Sequence, residues 1–280
     1  MIDTHCHVQF KAFNDDSDAV IKKCLAQGMI LNLVSTQSST SAHAVAVAEK
    51  YEGTYATIGL HPVHVFETFV DEKEGGSFIS RAETFDYEYY KKLAQSKKVI
   101  GIGECGLELF HFPEGRTRAE VLAKQTEAFL LQYKLAQEMN LAMSIHVREA
   151  HDEMIAVLKT LPHPIRAVVH CFTSNWKHAK EYLDMGLYLG FTGVITFPPK
   201  KSNPQIQLDL LEVVKNVPLD RMVIETDAPY LAPNAYRGKR CEPWMVVEVN
   251  KKIAEVKNMG LEEVAQLTHN NAAKLFGIPS

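Results

Sequence analysis

The segment "MIDTHCHVQF" places two histidines one residue apart. Successive side chains of a strand alternate between faces, so His5 and His7 point the same way if the stretch is extended. Two imidazoles on one face are either half of a metal site or a pair of ordinary histidines, and only further donors decide between these. Such donors recur at the ends of apolar runs: Glu104 in "GIGECGL", His146 in "SIHVRE", His170 in "VVHCF" and Asp227 in "IETDAPYL". Singly, each has a plain reading. His146 and His170 serve as hydrogen-bonded histidines, Glu104 as a carboxylate paired with arginine, and Asp227, before Ala-Pro, as a turn residue. Jointly they resist it, because a charge ending an apolar strand is costly unless a metal or an opposite charge balances it.

Four imidazoles and two carboxylates suit two divalent ions, since one tetrahedral zinc takes at most four protein ligands. A bridging carboxylate would use all six groups, and Glu104, central in the strand order, is the natural bridge. Two ions about 3.5–4 Å apart lower the pKa of a shared water and clamp attacking and leaving oxygens. Asp227 is then a ligand of one ion and the general base for that water. Imidazole-rich ligation favours zinc or manganese, with magnesium left open.

Six such groups must be positioned by the elements between them. Runs rich in Val, Ile, Leu and Tyr read as strands at "MIDTHCH", "MILNLVST", "TYATIGLH", "KVIGIGE", "LAMSIHV", "RAVVHCF", "LYLGFTG" and "MVIETD". They are nearly continuous in apolar residues, as parallel strands buried on both faces are. Helices are expected at 17–27, with Asp16 or Ser17 as N-cap and Gly28 as the stop, and at 118–139, where Leu122, Phe129, Tyr133 and Ala136 share a stripe. Others fall near 40–51, 85–95, 150–160, 175–185, 204–216, 242–257 and 261–275. Eight alternations point to a closed (β/α)8 TIM barrel, an α/β fold, with an open doubly wound sheet as runner-up. In a barrel the chemistry sits at the C-terminal strand ends, where the candidate ligands lie. The stretch "VFETFVDEKEGGSFIS" reads as a long loop on the rim of the site.

The chain has 280 residues, 46% apolar and 23% charged, with a net charge of −4. That length suits one barrel domain over 1–280, a barrel taking about 250 residues. The net charge attracts no polyanion globally, so a phosphate-rich substrate needs local cations or metal ions. Five scattered cysteines without a C-x-x-C pair suggest reduced thiols. No apolar run approaches a membrane span of ~20 residues, and the N-terminal residues lack a signal-peptide pattern. A soluble, cytoplasmic protein is the expectation.

"DTHCH", "GLHP" (59–62), "GECGLE" (103–108), "IHVRE" (145–149), "HCF" (170–172), "ETDAPYLAP" (225–233) and "LTHNNAAKLFGI" (267–278) occur in that order. With these motifs the chain resembles, end to end, TatD-type metal-dependent deoxyribonucleases of the amidohydrolase superfamily. The resemblance implies a (β/α)8 barrel, a divalent metal centre and hydrolysis of DNA phosphodiester bonds, commonly from the 3′ end. It implies that His5, His7, Glu104 and Asp227 hold one ion and that Glu104, His146 and His170 hold the other. The chain departs from the family at Glu108, where aspartate is common, at Cys105, where isoleucine or valine is common, and in an insertion after residue 63.

Other residues are candidates for the substrate. Glu225, two before Asp227, either orients a ligand histidine or recruits a further ion. His61 either reaches a phosphate or water or stabilises the turn before Pro62. Arg148 is a phosphate clamp, and "YRGKRCEPW" brings Arg237, Lys239 and Arg240 to the mouth beside Tyr230 and Trp244, which stack unpaired bases. Lys200 and Lys201 extend that track. Cys6, Cys105 and Cys171 pack on the opposite strand faces. The leading reading is a nuclease on single-stranded or frayed DNA ends. The alternatives are a binuclear hydrolase of a small ester, lactone or amide, and a metal-stabilised binding protein without turnover.

Overall fold

Eight of the apolar runs become parallel strands of one sheet in the computed structural model, which describes residues 1–72 and 76–279. They are β1 (Ile2–Cys6), β2 (Ile30–Val34), β3 (Thr54–Ile58), β6 (Val99–Glu108), β7 (Ala142–Arg148), β8 (Ala167–Val169), β9 (Tyr188–Phe191) and β10 (Met222–Ile224), neighbours in that order. The sequential order excludes the doubly wound alternative, in which the order reverses at a switch point. The sheet curls until its last strand meets its first: Cys6 bridges Ala228, the Asp227 N–H donates to the His5 carbonyl at 2.8 Å, and the His7 N–H donates to the Ala228 carbonyl at 2.7 Å. Every strand residue of β1, β6 and β8–β10 is buried, as the continuous apolar runs require. The protein is a (β/α)8 barrel.

Side chains complete the seam. The buried Asp3 carboxylate accepts from the Thr226 N–H at 2.9 Å, the Thr226 hydroxyl at 2.6 Å and the His5 N–H at 3.3 Å. Thr4 donates to the Ile224 carbonyl at 3.1 Å. Burial dominates over these bonds and pushes the Asp3 carboxyl up to about 8.

Around the sheet lie α1 (Ser17–Leu25), α2 (Ser38–Ala48), α3 (Tyr87–Leu93), α4 (Arg118–Met139), α5 (His151–Lys159), α6 (Trp176–Asp184), α7 (Gln205–Asn216), α8 (Val246–Lys257) and α9 (Leu261–Phe276). The long α4 opens on a capping box, Thr117 and Glu120 each bonding the other's backbone, and ends on Asn140 in the left-handed region. Its buried Gln125 and Gln132, two turns apart, act as surrogate strand edges. Gln125 pairs with both backbone groups of Glu108, and Gln132 pairs with both of Leu60. They fix the exits of β6 and β3, and thereby two walls of the barrel mouth. The lower end is closed by Leu275, Phe276 and Ile278 packed against Ile2, Ile100 and Val168.

Three sequence expectations change. The stretch read as a loop after β3 contains an antiparallel hairpin of β4 (Phe69–Glu72) and β5 (Gly76–Ile79), paired Phe69 to Ile79 and Val70 to Phe78; residues 73–75 of that stretch lie outside the described residues. β-Branched and aromatic residues flank the polar "EKEGG" segment, and that is enough to pair the two short runs. Glu104 does not end its strand, because β6 continues to Glu108. Asp16 occupies the N-cap of α1, but its carboxylate caps nothing and is taken by Arg240 instead.

The seam predicts that Asp3→Ala, which strands buried donors of Thr226 and His5, costs about 2–4 kcal/mol. A melting temperature within a degree or so of the parent would refute it.

Candidate metal centre

Two bulges aim the site. Asp3 pairs with Leu31 and Cys6 with Leu33, three steps along β1 against two along β2. Ile102 pairs with Met143 and Cys105 with Ile145, again three steps against two. The extra residue in each strand changes the phase of the alternation where His5 and Glu104 occur, the usual means of re-aiming a side chain beside a site. Asp227 follows β10 in the left-handed region (φ 63°), which aspartate tolerates better than most residues.

The six predicted groups converge. His146 Nδ1 is 2.7 Å from Glu104 Oε1, and His5 Nε2 is 3.4 Å from Glu104 Oε2 and 3.7 Å from Asp227 Oδ1. His7 Nε2 is 3.1 Å from Asp227 Oδ1, while His170 Nε2 is 3.8 Å from Glu104 Oε1 and 3.7 Å from Asp227 Oδ1. The His5 and His170 rings stack with centroids 3.4 Å apart. Donors around an ion that is ~2.0–2.2 Å from each stand about 3–3.5 Å apart, close to these spacings.

The second nitrogen of each ring shows which one is offered inward. His7 Nδ1–H donates to the Val34 carbonyl at 2.7 Å, and His5 Nδ1 meets the Ser144 hydroxyl at 3.3 Å. His170 Nδ1 is ion-paired with Glu225 Oε1 at 2.9 Å, and His146 Nε2–H donates to Glu108 Oε2 at 3.1 Å. Each anchored ring turns its other nitrogen to Glu104 and Asp227, as outer partners do for ligand histidines. His5 Nε2 is fully buried and has no hydrogen-bond partner among the described residues, which is costly for a polar atom unless something else takes its lone pair. The donor set fits divalent cations.

His61 also reaches Glu104, Nε2 to Oε1 at 3.6 Å, but with the opposite chemistry. Its Nδ1 accepts the Val63 N–H at 3.1 Å, so the neutral ring carries its proton on Nε2. Burial and the nearby His146 charge hold this ring well below the usual histidine range. It stabilises the turn before Pro62 and presents a hydrogen-bond donor, not a lone pair, to the site.

Charge in the cluster is balanced internally. Burial opposes ionisation of Glu104, but His61, His5 and His170 hold it well below the carboxylate range. Burial likewise opposes and His7 outweighs it at Asp227, whose side chain is the more open at 16% exposed against 6% for Glu104. His146 is buried, yet Glu104 and Glu108 raise it to about 9; His170 is buried, yet Glu225 and Glu104 raise it to about 10.

The substrate candidates divide. Arg148, two past His146, is exposed and lies over the Phe110 ring at 3.8 Å. Tyr230 lies half-buried beside His7, ring centroids 6.2 Å apart, and Arg237 covers Phe197 at 4.3 Å. Lys200, Lys201 and Lys239 are exposed. Arg240 is engaged elsewhere. Its four terminal donors go to Asp16, the Ala12 carbonyl and Glu242, and its guanidinium covers Phe13. Trp244 is packed between Lys23 and Tyr236 with its N–H given to Glu242, so neither group is free to meet a nucleic acid. Cys6 and Cys105 are buried in the apolar core, as expected, whereas Cys171 is partly exposed with its Sγ 3.2 Å from the Thr192 hydroxyl. Sequence reasoning passes over Glu108 as an anchor of His146, although it stands four residues after Glu104 on the same strand.

Two outcomes are expected. Glu225 fits against Gly190, where a Cβ would lie 2.5 Å from its carboxylate. Gly190→Ala, which displaces that carboxylate, and Glu225→Ala, which removes it, should each weaken metal binding by roughly 10–100-fold in competition with a chelating dye; unchanged affinity would refute the orienting role. The raised histidines stabilise the metal-free fold fully below their unfolded value of 6.5, and this is lost as pH rises through about 9–10. EDTA-treated protein should therefore melt several degrees lower at pH 9.5 than at pH 6.5, and added metal should recover more at the higher pH, where fewer protons compete.

The family described as TatD related DNase matches residues 2–277. The uncharacterized metal-dependent hydrolase YabD of Bacillus subtilis (strain 168) is 35% identical, covering 99% of both chains. A 3′-5′ ssDNA/RNA exonuclease TatD of Pantoea ananatis is 31% identical, covering 99% of this chain and all of that one. The crystal structure of YjjV, a TatD homolog of Escherichia coli K12, superposes with a TM-score of 0.80 at 28% identity, over 100% of this chain and 98% of the other. The chain is a hydrolase-type barrel that belongs to the TatD-related DNase family.

Proposed function

We propose that the chain, acting as one domain over 1–280, is a metal-dependent nuclease that removes nucleotides from the 3′ end of single-stranded or frayed DNA. The observation that carries this reading is the inward set of His5, His7, Glu104, His146, His170 and Asp227, each histidine anchored through its other nitrogen. Support for the substrate comes from the relatives named as 3′-5′ ssDNA/RNA exonucleases. His5, His7, Glu104 and Asp227 would hold one divalent ion and Glu104, His146 and His170 a second, with zinc, manganese or magnesium as candidates. When bound, such ions acidify a water and polarise a phosphoryl oxygen.

The chain's own groups do the rest. Asp227, kept ionised and more open than Glu104, takes the proton of the attacking water. Glu225 and Glu108 keep His170 and His146 from rotating. The Nε2–H of His61, 3.6 Å from Glu104 Oε1, is within the site to donate to a phosphoryl oxygen. Arg148, Tyr230 and Arg237 would meet the entering strand. Among the described residues the five cysteines form no disulfide and no helix is long and apolar enough to cross a membrane; a reducing cytoplasm suits both.

The test is digestion of 3′- and 5′-labelled single-stranded DNA by stripped protein reloaded with Mg²⁺, Mn²⁺ or Zn²⁺. Shortening from the 3′ end is expected, with kcat reduced roughly 100-fold or more in Asp227→Asn. Folded, metal-loaded protein that shortens no strand with any ion would sink the nuclease reading and turn the search to small esters and amides.

A further inference from the structure

Nine large apolar side chains stand exposed among the described residues, and five of them, Phe69, Phe78, Ile79, Phe110 and Phe112, come from just two segments. One is the β4–β5 hairpin and the other follows β6. Phe69 pairs with Ile79 and Phe78 with the buried Val70, so Phe69 and Ile79 share the outer face of the strand pair while Phe78 lies on the face turned to the barrel. Exposed rings beside a site, such as Phe78, Phe110 and Phe112, mark a surface that meets something.

Both segments are tied to the metal centre. The Phe110 N–H donates to Glu108 Oε1, and the other oxygen of that carboxylate holds His146. The hairpin is fastened by Ser80, which donates to the Val63 and Phe66 carbonyls, just past His61. His64 links the hairpin to the site, its ring 6.2 Å from Phe78 and 6.4 Å from His61, and the two segments meet at Phe66, whose carbonyl accepts from Ser80 and whose ring Arg116 covers.

Cations stand among the rings. Arg148 lies 3.8 Å from the centre of Phe110, and Lys124 and Arg116 lie 4.5 and 5.5 Å from that of Phe66. Packing of a second copy onto this face would bury those charges unpaired, whereas a polyanion neutralises them. Alternating π-faces and cations are what a single strand of nucleic acid recognises, its bases stacking while its phosphates are neutralised. In a chain of net charge −4 the attraction must be local, and here it is.

We propose that the Phe78 face of strands β4 and β5 and the segment 110–116 form a stacking ledge that holds the unpaired nucleotides of a single-stranded substrate adjacent to the one being released. The inference rests on the nuclease reading above and specifies where the strand beyond the scissile bond lies. Arg148, over Phe110 and two residues past His146, serves the ledge as a cation.

The test uses the metal-loaded full chain. KM should fall as a single-stranded DNA substrate lengthens from a dinucleotide toward about ten nucleotides. In Phe78→Ala/Phe110→Ala that gain should shrink by roughly 5- to 100-fold, with dinucleotide turnover unchanged. Abasic oligonucleotides of equal length should bind the parent as weakly as the variant, because they keep the phosphates and lose the bases. The control Ile206→Ala/Leu208→Ala, on exposed positions of α7, should behave as the parent. Hydrolysis that is independent of length in the parent, or a variant that keeps the full gain, overturns the ledge while leaving the nuclease intact. A parent that sediments as a dimer and becomes a monomer in the phenylalanine variant would assign the face to a second copy and also overturn it. Absence of hydrolysis in the parent itself, dinucleotide included, would count against the nuclease reading.

Discussion

A carboxylate buried among imidazoles governs this structure. Glu104 sits in the mouth of an apolar barrel with His5, His61, His146 and His170 around it, so its charge is held by rings instead of water. Removing an isolated carboxylate from water costs several kcal/mol even after relaxation, and it persists only where opposite charge and donors surround it. Every other feature of the upper barrel follows from that requirement. The two bulges turn His5 and Glu104 toward one another, and the seam brings Asp227 to within reach of His7.

Selection among the five histidines is made by their outer neighbours. A carbonyl, a hydroxyl or a carboxylate fixes the far nitrogen of His5, His7, His146 and His170. A backbone N–H fixes that of His61, and this one reversal of donor and acceptor separates a positioning ring from four candidate ligands. Distance alone does not make the distinction, because His61 is nearer to Glu104 than His170 is. The helix α4 belongs to the same device, since Gln125 holds the backbone of Glu108 and Glu108 holds His146.

The eight barrel strands are legible in the sequence because a parallel strand covered on both faces is a nearly unbroken apolar run, and the helices because their stripes and stops are local signals. The six inward groups are legible because charge at the end of such a run is rare. Other features depend on contacts between distant residues. Arg240 reads as a basic loop residue until Asp16, 224 positions away, takes both of its terminal nitrogens. Glu108 reads as a departure from a family pattern until the bulged β6 carries it past Glu104 to His146. The hairpin escapes notice because its charged centre looks like loop, and four-residue strands carry too little pattern to outweigh that. Trp244 looks like a stacking platform, and only its packing between Lys23 and Tyr236 shows that its faces are taken.

The seam has a bearing on how such a protein is made. Asp3 and Thr226 meet across 223 residues of sequence, and the His5 carbonyl waits for the Asp227 N–H. During synthesis the first imidazoles are therefore exposed long before their last partners leave the ribosome. Contacts of such separation form slowly, because the closure entropy of the whole intervening chain must be met first. A nascent chain with six strands complete still has an open cleft with Asp227 missing. Acquisition of a finished ion cage is consequently a late event in the life of the polypeptide, and an early-captured ion would sit in an incomplete set of donors.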